Sequence, residues 1–344
     1  MRLLCTILPP HLTDAVARNG GPAEREAILD TLAVDRSLVA MRMHSRLIPS
    51  ALATAHTGLA RTICDAKNSE SLPGGEVRGE GDIAIDDITV TEAYDGLGAT
   101  YSLFSAAYGR DSVDDEGLPL LATVHYGSRY DNAFWNGSQM VFGDGDGELF
   151  NRFTVALDVI GHELTHGVTQ DEAGLIYQNQ PGALNESLSD VFGSLVKQHA
   201  LGQTAEAADW LIGAGLFTDR VRGVALRSMK APGTAYDDPV LGKDPQPARM
   251  SDYVQTSRDN GGVHLNSGIP NRAFYLAAAT LGGYAWERAG RIWYESMRSA
   301  KVRPTTGFAR FAGVTVDVAG QLFGVGSAEQ QAIRGAWNEV EVLP

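Results

Sequence analysis

At residues 159–168 the chain reads Val-Ile-Gly-His-Glu-Leu-Thr-His-Gly-Val, and this stretch decides the fold around it. It contains the pattern His-Glu-x-x-His, with His162 and His166 four residues apart and Glu163 beside the first. Residues four apart share one face of an α-helix, so both imidazoles can bind one metal ion next to the carboxylate. Neutral imidazole suits zinc, and a catalytic zinc keeps three protein ligands and one open position. The stretch therefore predicts a helix that carries two ligands of a zinc ion.

Residues 182–190 read Gly-Ala-Leu-Asn-Glu-Ser-Leu-Ser-Asp and offer the missing ligand. Apolar residues at helical spacing, such as Leu184 and Leu188, predict a second helix here. On that helix Glu186 is the candidate third ligand. Asp190 lies one turn further, where it could accept the second ring proton of a ligand histidine and fix its tautomer. Taken singly, both acids are more typical of solvent-exposed helix carboxylates, but the neighbouring His-Glu-x-x-His pattern favours the ligand interpretation.

Composition narrows the class of protein. With 344 residues, 44% of them hydrophobic, the chain is long enough for two lobes with separate cores and a short appendage. Its 42 acidic and 28 basic side chains give a net charge of −14, which argues against binding nucleic acid or an anionic membrane surface. Cys5 and Cys64 are the 2 cysteines, so a disulfide framework is excluded, although a single bridge stays open.

We expect no export signal at the N terminus. Its apolar residues stop at Pro9-Pro10, which makes the run too short for a secretory signal peptide. No uncharged stretch approaches the roughly 20 residues needed to cross a bilayer. We therefore expect a protein that is cytoplasmic as synthesised; later release by a route without a signal peptide stays open.

Patterning divides the chain into three parts. Residues 1 to about 50 form a separate small unit, with helical spacing of apolar residues from Pro22 to Arg46, and a linker with a candidate cleavage site at its start follows over 47–81. Residues 82–147 are mainly β, and beyond Phe150 the periodicity is helical. The specific predictions are strands at 83–85, 89–91 and 118–126, a hairpin at Asn136-Gly137, helices at 94–108, 269–281, 286–300, 307–323 and 328–340, and a long surface loop at 213–257.

Together the motifs resemble the thermolysin-like zinc metalloendopeptidases, from about Leu72 to the C terminus. The resemblance rests on residues 132–137, 162–166, 174–179, 182–190, 226–229 and 259–268. It implies a two-lobed α+β fold with zinc in the cleft between a β-rich and a mainly α-helical lobe. The short N-terminal unit without an export signal resembles the protealysin-like subgroup. The expected division is a propeptide over 1–50, a β-rich catalytic lobe over 51–174 that includes the motif helix, and a helical lobe over 175–344.

The resemblance also implies the catalytic roles. His162, His166 and Glu186 would bind zinc. Glu163 would act as general base on the catalytic water and then pass the proton to the leaving amine, which agrees with the chemistry of a carboxylate beside a metal.

Oxyanion stabilisation would come from Tyr177 and His264, with Asp259 orienting the histidine. Without the resemblance, Tyr177 would be interpreted as a packing residue and His264 as a loop histidine.

Substrate contacts follow from the same resemblance. Asn132 and the backbone of Ala133 would form an edge strand that pairs with an extended peptide. Arg227 would bond the substrate carbonyl and brace Glu186. A bulky apolar residue after the scissile bond would enter a pocket formed by Phe150, Val159 and Leu226. The alternatives are a turn role for Asn132 and a surface ion pair for Arg227.

Two features depart from the secreted members of that family. Lys197 stands where they have a glutamate of a double calcium site, and its ammonium would repel a second cation, so calcium dependence is doubtful. Cys5 lies near the N terminus, where its thiolate could cap the zinc; a packed cysteine is the alternative.

The expected activity is that of a zymogen that hydrolyses internal peptide bonds. Expected partners are protein and peptide substrates, the propeptide as an intramolecular inhibitor, and a protein inhibitor as a further candidate. Two other classes of protein are alternatives: a silent peptide-binding module that keeps zinc for stability, and a non-peptidase hydrolase. Retention of Glu163, Tyr177 and His264 argues against the first, and the edge-strand motif at Asn132 argues against the second.

Overall fold

The computed structural model describes residues 5–44 and 58–344; for Cys5 and residues 39–44 it describes the backbone and not the side chains. The N-terminal unit consists of strand β1 (Cys5–Thr6) and helices α1 (Pro10–Asn19) and α2 (Pro22–His44). Proline begins both helices, where its missing N–H costs no hydrogen bond. The helix predicted between Pro22 and Arg46 is confirmed.

The β-rich lobe contains most of one six-stranded sheet. Its strands after β1 are β2 (Arg61–Asp65), β3 (Gly75–Gly79), β4 (Leu120–Val124), β5 (Ala133–Trp135) and β6 (Met140–Phe142). The spatial order is β1-β5-β6-β4-β2-β3, with parallel pairing of β4 to both β2 and β6 and antiparallel pairing elsewhere. Strand β1 of the N-terminal unit therefore occupies the edge of the sheet beside β5.

Two sequence predictions in this lobe are confirmed. Strand β4 lies within the predicted 118–126 segment. Strands β5 and β6 form the predicted hairpin, whose loop is closed because Asn136 Oδ1 accepts hydrogen bonds from the amides of Ser138 and Gln139. Gly137 takes a left-handed φ of 99° in this loop, which glycine adopts without steric cost.

The strands predicted at 83–85 and 89–91 are wrong. Residues 82–87 form no strand, and helix α3 (Ile88–Tyr108) begins six residues before the predicted start at Tyr94. The reason is the cap at Asp87, whose side chain accepts hydrogen bonds from the amides of Thr89 and Val90. Cap formation and packing of the first helical turn outweigh the β propensity of Thr-Val-Thr.

The second half of the chain is mainly helical. Its helices, with the motif helix first, are α4 (Leu157–Glu172), α5 (Asn179–Leu201), α6 (Asp259–Asn266), α7 (Gly268–Leu281), α8 (Ala289–Met297), α9 (Phe308–Phe323) and α10 (Ala328–Glu339). Four of them match the helices predicted after residue 268. The 213–257 segment is mostly irregular, as predicted, but it contains short strands at Arg227–Ser228, Asp237–Asp238 and Gly242–Lys243 and a 3₁₀ helix at Met250–Asp252. It is not purely a surface loop, since Leu226, Arg227 and Met229 are buried. Across residues 5–44 and 58–344, no helix combines the length and apolar character needed to cross a lipid bilayer.

Helices α4 and α5 cross at glycines. A Cβ on Gly161 would lie 3.0 Å from the Cα of Gly193, and a Cβ on Gly193 would lie 2.3 Å from the carbonyl oxygen of Asp158. Only glycine permits this backbone approach. Because His162 and His166 lie on α4 and Glu186 on α5, the close crossing sets how near these three side chains come.

A lysine links the same two helices. The ammonium of Lys197 donates to Asp158 at 3.0 Å and to Asp209 at 2.8 Å, and Asp158 is buried. Burial alone would lower the pKa of Lys197, but Asp158 and Asp209 raise it overall, so the ammonium stays charged. The lysine thus supplies a fixed positive charge between two acids. A cation at this position would be repelled, as expected for Lys197 from the sequence.

Replacement of Gly193 by alanine should separate α4 from α5, since its Cβ meets backbone rather than a flexible side chain. We expect Gly193→Ala to lower the free energy of unfolding by about 3 kcal/mol or more, measured by urea denaturation. The control is Gly335→Ala on α10, where a Cβ meets nothing within 4 Å; it should be neutral or stabilise by up to about 1 kcal/mol. Equal stability of the two variants would contradict the crossing.

Removal of calcium, with free zinc held constant, should barely shift the melting temperature, because Lys197 already balances Asp158 and Asp209. The matched variant Lys197→Glu leaves the buried Asp158 carboxylate unpaired, at a cost of about 3–5 kcal/mol, part of which calcium should restore. A large drop in the melting temperature of the unmodified chain on calcium removal would refute this account.

Candidate active site

The three predicted metal ligands meet at the crossing of α4 and α5. The Nε2 atoms of His162 and His166 lie 3.0 Å apart, and each lies 3.5 Å from a carboxylate oxygen of Glu186. One donor atom from each residue lies within 4.8 Å of the others, and all three side chains are buried. The helical spacing that predicted this convergence is therefore confirmed.

The hydrogen bonds of the Nδ1 atoms of His162 and His166 determine the protonation of their Nε2 atoms, which face the metal site. His162 Nδ1 lies 2.8 Å from Asp190 Oδ1, and His166 Nδ1 lies 2.7 Å from Asn185 Oδ1. Both partners are acceptors, so each Nδ1 carries a proton and, in the neutral ring, each Nε2 presents a lone pair. Burial lowers the pKa of His166 to about 4, which keeps this ring neutral at pH 7.

This donor set fits a metal ion. Two imidazole lone pairs and a carboxylate face one another in a buried space, an arrangement that is repulsive without a cation between them. The pKa of Glu186, which burial alone would raise, is lowered overall by His264 and His166, so the carboxylate is ionised. Its Oε2 atom has no hydrogen-bond partner among the described residues and remains available as a ligand. Two nitrogens and one oxygen are the donor types that zinc accepts at a catalytic site.

Asp190 is held from three sides. Besides His162, it accepts two hydrogen bonds from Arg227, at 2.9 and 2.8 Å, and one from Asn271 at 2.8 Å. Burial alone would raise the pKa of Asp190, but Arg227 and His162 hold it well below its usual range. The carboxylate is thus a fixed acceptor for the ring proton of His162.

The expected contact of Arg227 with Glu186 is wrong. The planar fork of the guanidinium faces both oxygens of Asp190, which satisfies its bidentate geometry. Arg227 still acts on the metal site, but through Asp190 and His162. Its remaining donor, Nη1, lies 3.4 Å from the carbonyl oxygen of Ile7.

Glu163 stands beside the donor set with one oxygen held and one free. Its Oε2 accepts a hydrogen bond from the amide of Trp135 on β5 at 3.0 Å. Its Oε1 is buried and has no partner among the described residues. Burial, together with the charge of Glu186, raises the pKa of Glu163 well above its ordinary value. A raised pKa is typical of a carboxyl that takes up and releases a proton during catalysis.

Tyr177 and His264 form the next part of the site. The Tyr177 hydroxyl donates to Glu186 and lies 3.2 Å from His264 Nε2. Asp259 lies 2.6 Å from His264 Nδ1, the orientation expected from the sequence. Burial alone would lower the pKa of His264, but Glu186 and Asp259 raise it to about 9, so its ring is an imidazolium at pH 7.

The histidine lies on a short helix rather than a plain loop. Asn260, Gly261 and Gly262 at the start of α6 adopt left-handed φ values of 50°, 89° and 77°. A Cβ on Gly261 would lie 2.1 Å from Asn179 Oδ1, so the two glycines allow both the turn and its close packing against the start of α5.

The predicted substrate-binding edge is occupied by the chain itself. Strand β1 pairs antiparallel with β5, placing Thr6 opposite Phe134. The amide of Ile7 donates to Ala133 O at 3.1 Å, and the amide of Leu8 donates to Asn132 Oδ1 at 3.1 Å. The side chain of Cys5 lies outside the described residues, so its role as a zinc cap stays a prediction.

Helices α1 and α2 fix this N-terminal unit against the lobes. His11 Nε2 lies 2.9 Å from the Tyr236 hydroxyl, and burial lowers the pKa of His11 to about 3. Asp35 accepts hydrogen bonds from the Tyr130 hydroxyl at 2.5 Å and from Asn132 Nδ2 at 3.1 Å. Asn132 is thus bound both by Leu8, which follows β1, and by Asp35 on helix α2.

The predicted apolar pocket residues are all buried in the main core. Phe150 and Val159 are wholly buried and Leu226 almost so, and Ile7 belongs to the same continuous core cluster. The pocket that they would form stays a prediction.

Sequence reasoning missed several contacts of the site. Asn185 lies within the 182–190 motif, and its position next to Glu186 was the feature of the sequence that could have indicated its role. Asn271, His11 and Asp35 reach the site or the edge strand only through tertiary packing, and their spacing in the sequence carries no signal.

Comparisons with known proteins agree with this geometry. A family profile described as "Thermolysin metallopeptidase, catalytic domain" matches residues 53–170, and one described as "Thermolysin metallopeptidase, alpha-helical domain" matches residues 173–342. An extracellular metalloprotease of Pectobacterium carotovorum subsp. carotovorum is 54% identical over 342 residues, covering 99% of this chain and 97% of that protein. Protease PrtS of Photorhabdus sp. (strain Az29) is 48% identical over 345 residues, covering 98% and 91%.

A solved structure is similar over nearly the whole length. The precursor of protealysin, a metalloproteinase from Serratia proteamaculans, shares 55% sequence identity at a TM-score of 0.91, covering 98% of this chain and 99% of that one. Its β-rich and helical halves correspond to the α+β organisation described above. The chain belongs to the thermolysin metallopeptidase family.

Proposed function

We propose that this metallopeptidase is a zinc-dependent endopeptidase, made as a zymogen whose N-terminal unit blocks its own cleft. The observation that carries the proposal is the buried convergence of His162, His166 and Glu186 beside the free oxygen of Glu163. His162, His166 and Glu186 would hold the metal. Bound zinc supplies a Lewis acid that polarises a substrate carbonyl and lowers the pKa of water.

Glu163 is the proposed proton carrier. Its Oε1 is free to accept a proton from the attacking water, while Trp135 holds Oε2 and so fixes the carboxylate. After attack on the carbonyl carbon, the same carboxyl would deliver the proton to the leaving amine. A raised pKa suits both steps, because the group must gain and lose a proton near neutral pH.

Tyr177 and His264 are the proposed donors to the oxygen on which negative charge develops. A preorganised donor at that point commonly lowers the barrier by about 3–4 kcal/mol. The pKa of His264, raised to about 9, keeps its ring protonated and able to donate throughout the neutral range. Asp259 fixes the ring from its other nitrogen.

Substrates would bind as an added strand along β5. Ala133 O and Asn132 Oδ1 accept from a backbone, and Arg227 donates to a carbonyl, so recognition relies on main-chain groups that every peptide has. Selectivity would come from the apolar pocket of Phe150, Val159 and Leu226, with a preference for a bulky hydrophobic residue after the scissile bond. This arrangement supports a protease that cuts internal bonds.

Latency is proposed because the N-terminal unit uses the same groups. While Ile7 and Leu8 engage Ala133, Asn132 and Arg227, no other extended peptide can do so. Removal of residues 1 to about 50 would free the edge strand.

We expect Glu163→Gln to lower the rate of peptide hydrolysis by at least about a hundredfold, since glutamine cannot carry the proton. Zinc content should stay at one ion per chain, because Glu163 is not among the convergent donors. Both quantities are measured on the chain after limited proteolysis at the predicted linker, by elemental analysis and by cleavage of casein.

The matched control is Glu186→Ala, which should lose both zinc and cleavage. Undiminished cleavage by Glu163→Gln would exclude the proposed role of Glu163, and zinc-loaded but inactive parent chain would favour the silent peptide-binding module instead.

A further inference from the structure

The N-terminal strand lies along the edge strand in the manner of an extended peptide. Cys5 and Thr6 pair with Trp135 and Phe134, and the amides of Ile7 and Leu8 are both used as donors to the edge. Pro9 and Pro10 follow and have no amide hydrogen, so the pairing ends at Leu8. The paired strand is two residues long, and the hydrogen bonds of Ile7 and Leu8 extend the contact with the edge to four residues.

Two groups of the active site lie at the ends of a short part of this segment. Glu163 is bound to the amide of Trp135, which lies opposite Cys5. Arg227 donates to the carbonyl of Ile7 and, through Asp190, is linked to His162. Two peptide bonds, Cys5–Thr6 and Thr6–Ile7, lie between these points, and Ile7, whose carbonyl Arg227 holds, directly follows the second bond.

Side-chain burial agrees with that register. Ile7 is wholly buried, whereas the preceding Thr6 is only partly buried. Of the two bonds, Thr6–Ile7 is therefore the one that a buried apolar side chain directly follows, as the proposed specificity requires.

We propose that the Thr6–Ile7 peptide bond occupies the scissile position and that the enzyme hydrolyses it within its own chain. This inference rests on the proposed endopeptidase function and names the first substrate of the site. It assigns a self-processing position that precedes the predicted cut near residue 50.

The step balances as ordinary hydrolysis. Glu163 takes a proton from water as the water oxygen attacks the carbonyl carbon of Thr6. The bond from that carbon to the nitrogen of Ile7 then breaks, and the proton passes to this nitrogen. The products are a new carboxylate at Thr6 and a new ammonium group at Ile7, which takes up the second proton of the water as well.

The cut leaves the remaining anchors of the N-terminal unit intact. Leu8 still donates to Asn132, Asp35 still accepts from Asn132 and Tyr130, and His11 still contacts Tyr236. The new terminus at Ile7 would therefore stay in the cleft as a bound product.

The test is intact-mass measurement and N-terminal sequencing of the full chain after zinc is added. The unmodified chain should lose residues 1–6 and begin at Ile7-Leu8-Pro9-Pro10, with a rate constant that does not change over a hundredfold dilution. Glu163→Gln should keep residues 1–6. A rate proportional to protein concentration would mean that one copy cuts another and would overturn the intramolecular assignment.

Two matched variants test the register. Ile7→Gly empties the apolar position and should slow the cut by at least about tenfold, whereas Thr6→Ala, on the opposite face, should change it by less than about threefold. Equal slowing by both variants would count against the assignment.

A readout independent of turnover is hydrogen exchange in Glu163→Gln, in which the amides of Ile7 and Leu8 should be protected. Rapid exchange of both amides would place the segment elsewhere.

Failure of the inference can be told apart from failure of the proposed function. If the chain nicked at the linker cleaves casein while the full chain keeps residues 1–6, the self-processing position is wrong and the endopeptidase stands. If the nicked chain loaded with zinc cleaves no casein, the proposed function fails and the inference falls with it.

Discussion

Three buried side chains that converge as candidate metal ligands constrain the rest of this molecule. His162, His166 and Glu186 can converge because α4 and α5 approach to backbone contact at Gly161 and Gly193. A bound metal ion would offset the repulsion between their donor atoms and would thus contribute to folding stability as well as to chemistry. The site is therefore a property of the helix crossing and not of a flexible loop.

Asp190 connects this donor set to the binding edge. It fixes the tautomer of His162 on one side and holds the guanidinium of Arg227 on the other. Since Arg227 also donates to the carbonyl of Ile7, a bound peptide and a metal ligand share one hydrogen-bonded carboxylate. A peptide that moves Arg227 would therefore change the hydrogen bonding of His162. A displacement of His162 would in turn change the contact between Arg227 and the peptide.

The sequence predicted features that depend on residues close together in the chain, and it missed features that depend on distant residues. The motif helix, the convergence of Glu186 with the two histidines and the later helices follow from local spacing. The motifs carried the resemblance that predicted the α+β fold and the proposed catalytic residues. The strand expected at 89–91 was wrong because the Asp87 cap competes with β propensity, and sequence alone does not rank the two. The partner of Arg227 was wrong because Glu186 and Asp190 lie on one helix, one turn apart, and only the three-dimensional packing decides between them. Nothing in the spacing of residues 5–8 indicated that they form the edge strand of the sheet.

The most direct test of the account is X-ray absorption at the zinc edge of the purified full chain, combined with its zinc content. We expect one zinc per chain, with two imidazole nitrogens at about 2.0–2.1 Å, a carboxylate oxygen at a similar distance, and loss of the metal in Glu186→Ala. A chain that retains no zinc, or a zinc site that is unchanged in Glu186→Ala, would contradict the central claim that these three side chains form the metal centre.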